Sequence, residues 1–180
     1  MNLLADAEAT LYDLDRFLRD IWLECCGHLS EFEFNDTRYI SYEEDDDMGF
    51  GFFAMPPSES MHQTELRSVL PVGASFRHNY DFGSTTELEG RIVSERKGAW
   101  TTDSPVRLLA RNLQPQYECS ECGELAAWLC PFCVWEGGGL FCHACGQDHE
   151  CPEGGDWDML MPMVNSPRTG VCGYTGGPLT

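Results

Sequence analysis

Apolar residues recur at helical spacing near the start of the chain. Thr10 precedes the stretch LYDLDRFLRDIW, in which one stripe of side chains is apolar: Leu11, Leu14, Phe17, Leu18, Ile21 and Trp22. The Thr10 hydroxyl can cap a helix, and Asp13 favours its first turn. Gly27 is a residue type that commonly ends helices. The pattern therefore predicts an amphipathic helix that begins after Thr10 and ends before Gly27.

Alternation with a period of two follows this helix. Phe32 and Phe34 alternate with acidic residues, and the turn letters NDT lead into RYISY, which predicts a β-hairpin. In ASFRHNYDFG, one face of a strand carries Phe76, His78, Tyr80 and Phe82. We also predict strands in GFGFFAM, TELEGRIVSER and VRLLARN, a short helix in TELRSVL, and an ion-free loop at Glu43 to Asp47. The first two-thirds of the chain is thus predicted to be α+β, an antiparallel sheet with two helices.

Charge narrows the partners that this chain can bind. It has 30 acidic and 11 basic residues, a formal net charge of −19 and a pI near 4.3, and Lys97 is its single lysine. Nucleic acid requires clustered Lys and Arg to neutralise phosphates, so nucleic acid is an unfavourable partner. Two interpretations of the acidity stay open. It can be a solubilising surface, as in a high-salt cytoplasm, or a face that docks a basic partner or mimics nucleic acid.

The ends and the hydropathy of the sequence predict a location. The opening MNLLADAEATLYDLDRF has no basic region before an apolar run, so we expect no signal peptide. No stretch approaches the roughly 20 apolar residues of a membrane-spanning helix. We therefore expect a cytoplasmic protein without a membrane partner.

Seven of the ten cysteines lie between Cys119 and Cys151. Two residues between cysteines let both sulfurs bind one metal ion on a tight turn, and this spacing occurs three times before an irregular His149/Cys151 pair. The eight candidate ligands are Cys119, Cys122, Cys130, Cys133, Cys142, Cys145, His149 and Cys151. Eight ligands in four pairs predict two structural zinc ions.

Other cysteine chemistries fit this pattern less well. Disulfides suit small secreted domains, and no signal peptide is expected for this chain. A thioredoxin-type motif needs one CxxC rather than pairs in series. Iron–sulfur clusters use different spacings, and a histidine would be an unusual ligand for them. Cys25 and Cys26, which have no second pair nearby in the sequence, are interpreted as buried small apolar residues.

The wiring of the four pairs has two solutions. In a cross-brace, the first and third pairs hold one zinc and the second and fourth hold the other; in consecutive pairing, the first site closes between Cys119 and Cys133. We favour the cross-brace because the spacing resembles the interleaved fingers of the MYND, HIT and B-box kinds. Cys172 can replace His149 or Cys151 or be a buried spectator, and His143 is expected to point outward. The tail, rich in apolar residues from Met159 to Val164, is expected to dock onto the fingers as a strand.

The first part of the chain resembles a known family. TLYDLDRFLRDIW, HLSEF, TRY and SVLPVGASFRHNYDFG occur in the order typical of the plasmid pRiA orf-three-like family, over roughly residues 8 to 96. That family usually has a full strand before the first helix, where only MNLLADAE stands here, and a Trp-containing continuation where STTEL stands here. The resemblance implies an α+β fold without an established activity. Some family members carry mobile-element labels.

These observations predict three segments and one function. We expect an orf-three-like α+β domain over residues 1–98, a connecting segment and strand over 99–116, and a zinc-finger domain with an ordered tail over 117–180, of treble-clef or cross-brace-like form. His78 is expected to pack in a strand, and Asp81 to bond nearby backbone in a turn. We therefore expect a zinc-binding interaction or adaptor module rather than an enzyme. Its expected partner is another protein, and a basic protein is one candidate. The alternative is a nucleic-acid-binding regulator associated with mobile elements, for which Arg107, Arg111 and Arg168 would gather on one face.

Overall fold

The computed structural model describes residues 1–41, 58–152 and 159–177. The chain forms two compact units. The first comprises Met1–Arg19 and Gly27–Arg111, and the second comprises Asp20–Cys26 and Asn112–Thr180. The predicted strand in GFGFFAM and the predicted loop at Glu43 to Asp47 lie outside the described residues.

The predicted first helix is present, but it is α-helical only at its start. Helix α1 covers Leu11–Leu18, and a π-helical turn, Arg19–Leu23, continues it. Thr10 caps α1: its hydroxyl accepts the N–H of Asp13 at 3.1 Å, and the Asp13 carboxylate accepts the backbone N–H of Thr10 at 2.8 Å. This reciprocal capping box satisfies two backbone donors at the helix start.

A five-stranded sheet forms the main layer of the first unit. Its strands are β2 (Ser30–Phe34), β3 (Thr37–Ile40), β4 (Ser58–Ser60), β5 (Ser75–Tyr80) and β6 (Thr86–Arg91), in the order β4-β3-β2-β5-β6. The predicted hairpin is present, and Asn35 and Asp36 both have positive φ (48° and 60°), as a tight two-residue turn requires. The sheet is mixed rather than purely antiparallel, because β4 runs parallel to β3.

The start of the chain forms a strand. Strand β1, Asn2–Ala5, pairs antiparallel with β7, Val106–Ala110, in a separate two-stranded sheet. MNLLADAE, which looked too short in the sequence to supply a strand, therefore does so. One extra residue of β7, Leu109, is absorbed by an irregularity between Asn2 and Leu3.

A hydrophobic core holds the first unit together. Short helix α2 (Leu66–Val69) and a 3-10 turn (Met61–Gln63) complete its elements. The largest fully buried apolar side chains of this unit are Leu11, Phe32, Met61 and Tyr80. At its centre, His78 of β5 is fully buried, and its Nε2 lies 2.7 Å from the Asp15 carboxylate of α1. The expectation that His78 packs inside a strand is therefore confirmed.

The second unit has little regular structure. Its elements are β8 (Trp128–Leu129), β9 (Leu140–Phe141), α3 (His143–Gln147), β10 (Met161–Pro162) and a 3-10 turn (Cys133–Glu136). The three strands form an antiparallel sheet in the order β10-β8-β9. The tail therefore does return as a strand beside the cysteine-rich hairpin, as the sequence predicts. Within the described residues, no helix has the length and apolar character required to cross a membrane.

Candidate metal centres

The predicted ligands assemble into two groups of four in the second unit. Group 1 contains Cys119, Cys122, Cys142 and Cys145, and group 2 contains Cys130, Cys133, His149 and Cys151. Within each group, the potential ligand atoms all lie within 4.8 Å of one another. The first pair thus meets the third and the second meets the fourth, which is the interleaved arrangement, not the consecutive one. Metal binding by these side chains stays a prediction.

A turn and a helix start hold group 1. The N–H of Gly123 donates to the Cys119 carbonyl at 3.0 Å, and Gly123 has a φ of +79°, a left-handed conformation that suits glycine. On the other side, Cys142 precedes α3, and its sulfur accepts the N–H of Cys145 at 3.4 Å. The Sγ atoms of Cys122 and Cys142 lie 3.7 Å apart. Local backbone geometry therefore presents both cysteine pairs to one point.

Group 2 is more deeply buried. Cys130 and Cys151 are buried, and their Sγ atoms lie 3.6 Å apart. The Cys133 sulfur lies 3.9 Å from that of Cys151 and 3.7 Å from Nε2 of His149. The imidazole of His149 packs against the ring of Phe141, with centroids 4.2 Å apart. These contacts fix the ring so that its nitrogen faces the thiols.

The spacings match the edges of a tetrahedron around zinc. With Zn–S bonds of about 2.3 Å and Zn–N bonds of about 2.0–2.1 Å, tetrahedral geometry separates two sulfurs by about 3.8 Å and sulfur from nitrogen by about 3.6 Å. The observed distances of 3.6, 3.7 and 3.9 Å fall close to these values. They are far longer than the roughly 2.05 Å of a disulfide bond. Chemistry and spacing therefore fit a tetrahedral thiophilic ion.

Crowding drives the thiol pKa values apart. Burial disfavours the Cys119 thiolate, but hydrogen bonds from the backbone of Cys142, Glu121 and Cys122 outweigh burial and lower the pKa of Cys119 to about 6. Contacts with Cys122 and Cys142 raise the pKa of Cys145. Burial, followed by contacts with Cys130 and Cys151, raises the pKa of Cys133 to about 12. Neighbouring thiols resist simultaneous ionisation because the resulting thiolates repel one another.

One glycine between β8 and β9 is sterically required. A Cβ on Gly139 would lie 2.6 Å from the backbone nitrogen of Val134 and 2.8 Å from the carbonyl carbon of Cys133, and Gly139 has a φ of +84°. A Cβ on neighbouring Gly138 would meet no atom within 4 Å. The GGG stretch, residues 137–139, therefore leads the chain into β9, and Gly139 is the residue that brings the chain against the Cys133 segment.

The thiols form part of the core of the second unit. Its buried cluster contains three cysteines of the two groups and two other apolar residues. These are Cys119, Cys130 and Cys151, and Phe141 and Leu160. His143 lies outside both groups, is exposed, and accepts a hydrogen bond from the Trp128 indole at 3.0 Å. Its expected outward orientation is confirmed.

Three cysteines outside the eight predicted ligands form a third group of thiols. Cys25 is half-buried and Cys26 exposed, so the expectation that both are buried apolar residues is wrong. Cys172 is exposed and lies beside Cys26, with 3.6 Å between the sulfurs, so it neither joins group 2 nor is buried. A signal was present in the sequence. Cys26 and Cys172 each precede a glycine, as Cys122 does, and His28 follows Cys26 by two residues.

The arginines do not form the surface that the nucleic-acid alternative requires. Arg168 is 0% exposed, and its guanidinium donates to the Cys25 sulfur at 3.5 Å. A buried guanidinium does not reach the phosphates of a partner. The nucleic-acid alternative requires Arg107, Arg111 and Arg168 to gather on one binding face, and the buried Arg168 does not meet that condition.

The YDFG stretch has a structural role in the first unit. Asp81 has a φ of +64°, and its carboxylate accepts the N–H of Gly83 at 2.9 Å. An aspartate in a left-handed turn that bonds to backbone two residues on is an Asx turn. The expectation that Asp81 bonds nearby backbone is confirmed.

Comparison with known proteins adds no further assignment. No protein-family model, curated protein or solved structure matches this chain. The resemblance to the plasmid pRiA orf-three-like family therefore stays a hypothesis.

Proposed function

We propose that the second unit is a cross-braced module with two structural zinc ions, and that the chain is a non-enzymatic adaptor that docks a basic protein. The interleaved assembly of groups 1 and 2 is the observation that carries this proposal. Two ions held by alternating pairs would tie residues 119–151 into one body, because each ion closes a loop that contains a pair of ligands of the other.

The elements around group 1 support a treble-clef-like arrangement. A cysteine turn at Cys119–Cys122, the hairpin of β8 and β9, and a helix whose start carries Cys142 and Cys145 follow one another in the chain. These are the turn, hairpin and helix that define a treble clef. Group 2 adds the second ion of a cross-brace.

The ligand sets favour structural rather than catalytic zinc. Group 1 offers four thiolates, and group 2 offers three thiolates and an imidazole. Four protein ligands fill a tetrahedral ion, whereas catalytic zinc keeps one position for water or substrate. The predicted role of both ions is therefore to stabilise the fold.

A small aromatic surface beside group 2 is suited to protein docking. Trp135 is 79% exposed and Phe132 is 42% exposed. Both lie at the 3-10 turn that follows Cys130, where residues three apart point to the same side. We call Phe132 and Trp135 the aromatic pair. Aromatic residues are enriched among the side chains that dominate binding energy in protein interfaces.

The charge around the aromatic pair favours a basic partner. Residues 112–180 contain nine acidic residues, including Glu136 next to Trp135, and their single basic residue is the buried Arg168. Zinc held by four thiolates adds a net charge of about −2, and zinc held by three thiolates and a neutral imidazole about −1. Such a surface repels phosphates and attracts Lys- and Arg-rich segments.

The experiment measures capture by the zinc-loaded full chain. The chain is immobilised and exposed to soluble extract of its host, and bound protein is identified and then rebound as a purified component. We expect one basic protein to bind the wild type and to bind the Phe132→Ala/Trp135→Ala variant at least tenfold more weakly. Val93→Ala is the matched control, because Val93 is 82% exposed in the first unit.

Two outcomes would reject the proposed function. Equal binding of the purified partner by the wild type and the double variant would exclude the aromatic pair as the docking surface. Recovery of nucleic acid, lost on nuclease treatment and on raising the salt concentration, would instead favour the alternative of a nucleic-acid-binding regulator.

A further inference from the structure

All ten cysteines of the chain fall into three groups of thiols. Groups 1 and 2 account for seven, and the remaining three are Cys25, Cys26 and Cys172, which we call group 3. Cys26 and Cys172 are 146 residues apart in the sequence, yet their sulfurs lie 3.6 Å apart. The sulfurs of Cys25 and Cys26 lie 3.4 Å apart. All three cysteines belong to the second unit.

Group 3 has the spacing of a metal site. Its two sulfur–sulfur distances are close to the roughly 3.8 Å edge of a tetrahedral zinc–thiolate centre. They are close to the 3.7 Å in group 1 and the 3.6 Å in group 2. Small apolar cysteines that pack in a core have no reason to bring three sulfurs to one point, least of all at the surface.

The backbone at group 3 repeats a feature of group 1. Gly123 follows Cys122 with a φ of +79°. Gly27 follows Cys26 with a φ of +75°, and Gly173 follows Cys172 with a φ of +70°. A glycine in the left-handed conformation turns the chain sharply after a cysteine. The side chain of that cysteine then lies at the apex of the turn. Group 3 therefore combines two turns of the kind that present a ligand in group 1.

A buried cation lies beside group 3. The guanidinium of the buried Arg168 donates to the Cys25 sulfur at 3.5 Å. A buried cation is stabilised by a neighbouring anion, and hydrogen bonds from arginine to an ionised acceptor are stronger than those to a neutral one. Three thiolates around a divalent zinc carry a net charge of about −1, which complements one guanidinium.

We propose that Cys25, Cys26 and Cys172 bind a third zinc ion that fastens residues 20–26 to the C-terminal tail of the second unit. A metal that joins positions so distant in the chain restricts the unfolded state strongly, since closure of a longer loop costs more entropy. Ser166 makes a second link between the same two segments, because its hydroxyl donates to the Trp22 carbonyl at 2.6 Å.

The third ion exchanges faster than the other two. Cys26 and Cys172 are exposed, whereas group 2 contains the buried Cys130 and Cys151 and group 1 contains the buried Cys119. An ion reached by solvent is open to attack by a chelator without prior unfolding.

The test counts zinc in the full chain, purified under reducing conditions without chelators. Native mass spectrometry should find three zinc ions in the wild type and two in Cys172→Ala. Thr175→Ala, an exposed neighbouring substitution, is the matched control and should retain three. A limited amount of chelator should remove one ion first and expose Cys25, Cys26 and Cys172 to alkylation before the other seven cysteines.

The outcomes separate this inference from the proposed function. Two ions in both wild type and Cys172→Ala would overturn the third site and leave the two-zinc module intact. Three ions in both would place the third ion elsewhere and also overturn it. A mass lower by two hydrogens, with a disulfide mapped to group 3 in fresh reduced protein, would replace the metal by a redox pair. Fewer than two ions in the wild type would reject the cross-braced module itself.

Discussion

The two units of this chain reach compact structures by different means. The first buries a core of large apolar side chains, such as Leu11, Phe32 and Tyr80, under a five-stranded sheet. The second has strands of two residues, and cysteines make up much of its central cluster. On the proposed function, this unit depends on metal crosslinks in addition to the burial of apolar side chains such as Ile21, Leu23 and Tyr174. On that proposal, one chain divides its stability between a unit held by hydrophobic packing alone and a unit that also needs metal ligation.

Basic residues are distributed unequally between the two units. Ten of the eleven basic residues lie in the first unit, where several pair with carboxylates: Arg38 with Glu31, and Arg77 with Glu33 and Glu87. The second unit has one arginine, which is buried. Both units are therefore net acidic, but the first pairs several of its carboxylates with arginines, whereas the second has no exposed Lys or Arg. An interaction driven by charge is expected at the second unit.

Zinc removal should produce the largest difference in stability between the two units. Structural zinc contributes about 10–16 kcal/mol in small zinc modules near neutral pH, so excess chelator should unfold the second unit and leave the first folded. The indole N–H signals in NMR spectra separate the two, because Trp100 lies in the first unit and Trp128 and Trp135 lie in the second. Loss of the Trp100 signal together with the others would show that the first unit depends on the metal as well.

Gly139→Ala should destabilise the second unit next most. A left-handed φ costs an alanine about 1–2 kcal/mol. The contact with the backbone of Cys133 and Val134 adds about 1–3 kcal/mol of overpacking. The free energy of urea unfolding and the zinc content of group 2 measure the effect. Gly138→Ala is the matched control, and an equal loss in both variants would contradict the steric argument.

Asp15→Ala probes the polar centre of the first unit. It removes the partner of the buried His78 Nε2, and a buried polar group without its partner costs about 1–3 kcal/mol. Urea unfolding followed at the first unit should show this loss, while the zinc content stays unchanged. Asp103→Ala, at an exposed site of the same unit, should have little effect.

Thr10→Ala should have a smaller effect on the same unit. It removes the hydroxyl that caps α1, and loss of such a cap costs about 1 kcal/mol. Thermal unfolding measures the shift, and Thr101→Ala at an exposed loop is its control. A shift of equal size in the control would remove the cap as the explanation.

Trp135→Ala should change stability least. An exposed side chain away from special features contributes within about 0.5 kcal/mol, so unfolding and zinc content should stay at wild-type values. By contrast, Phe141→Ala in the buried cluster should cost about 3–5 kcal/mol. A strongly destabilised Trp135→Ala would show that the exposed ring is part of the fold and not a surface held for a partner.

The sequence by itself predicted the elements whose signals are local. Helix α1 follows from the spacing of its apolar residues and the Thr10 cap, and the β2–β3 hairpin follows from alternation around an Asn-Asp turn. The two predicted groups of ligands could be proposed because each CxxC spacing already places two sulfurs together. The spacing did not decide which two pairs share one metal ion. The cross-brace was favoured over consecutive pairing because the pattern resembles fingers of the MYND, HIT and B-box kinds.

Tertiary structure alone decided the features that join distant parts of the chain. The pairing of β1 with β7, the parallel step from β3 to β4, and group 3 each bring together segments without local sequence signals that name their partner. In the sequence, Cys25 and Cys26 resemble small apolar core residues. Only the tertiary structure places Cys172, 146 residues after Cys26, beside them. Arg168 looks like a surface charge until its burial beside Cys25 is seen. Periodicity and spacing encode what a segment is, whereas its partner is chosen by long-range packing, which no short window of sequence contains.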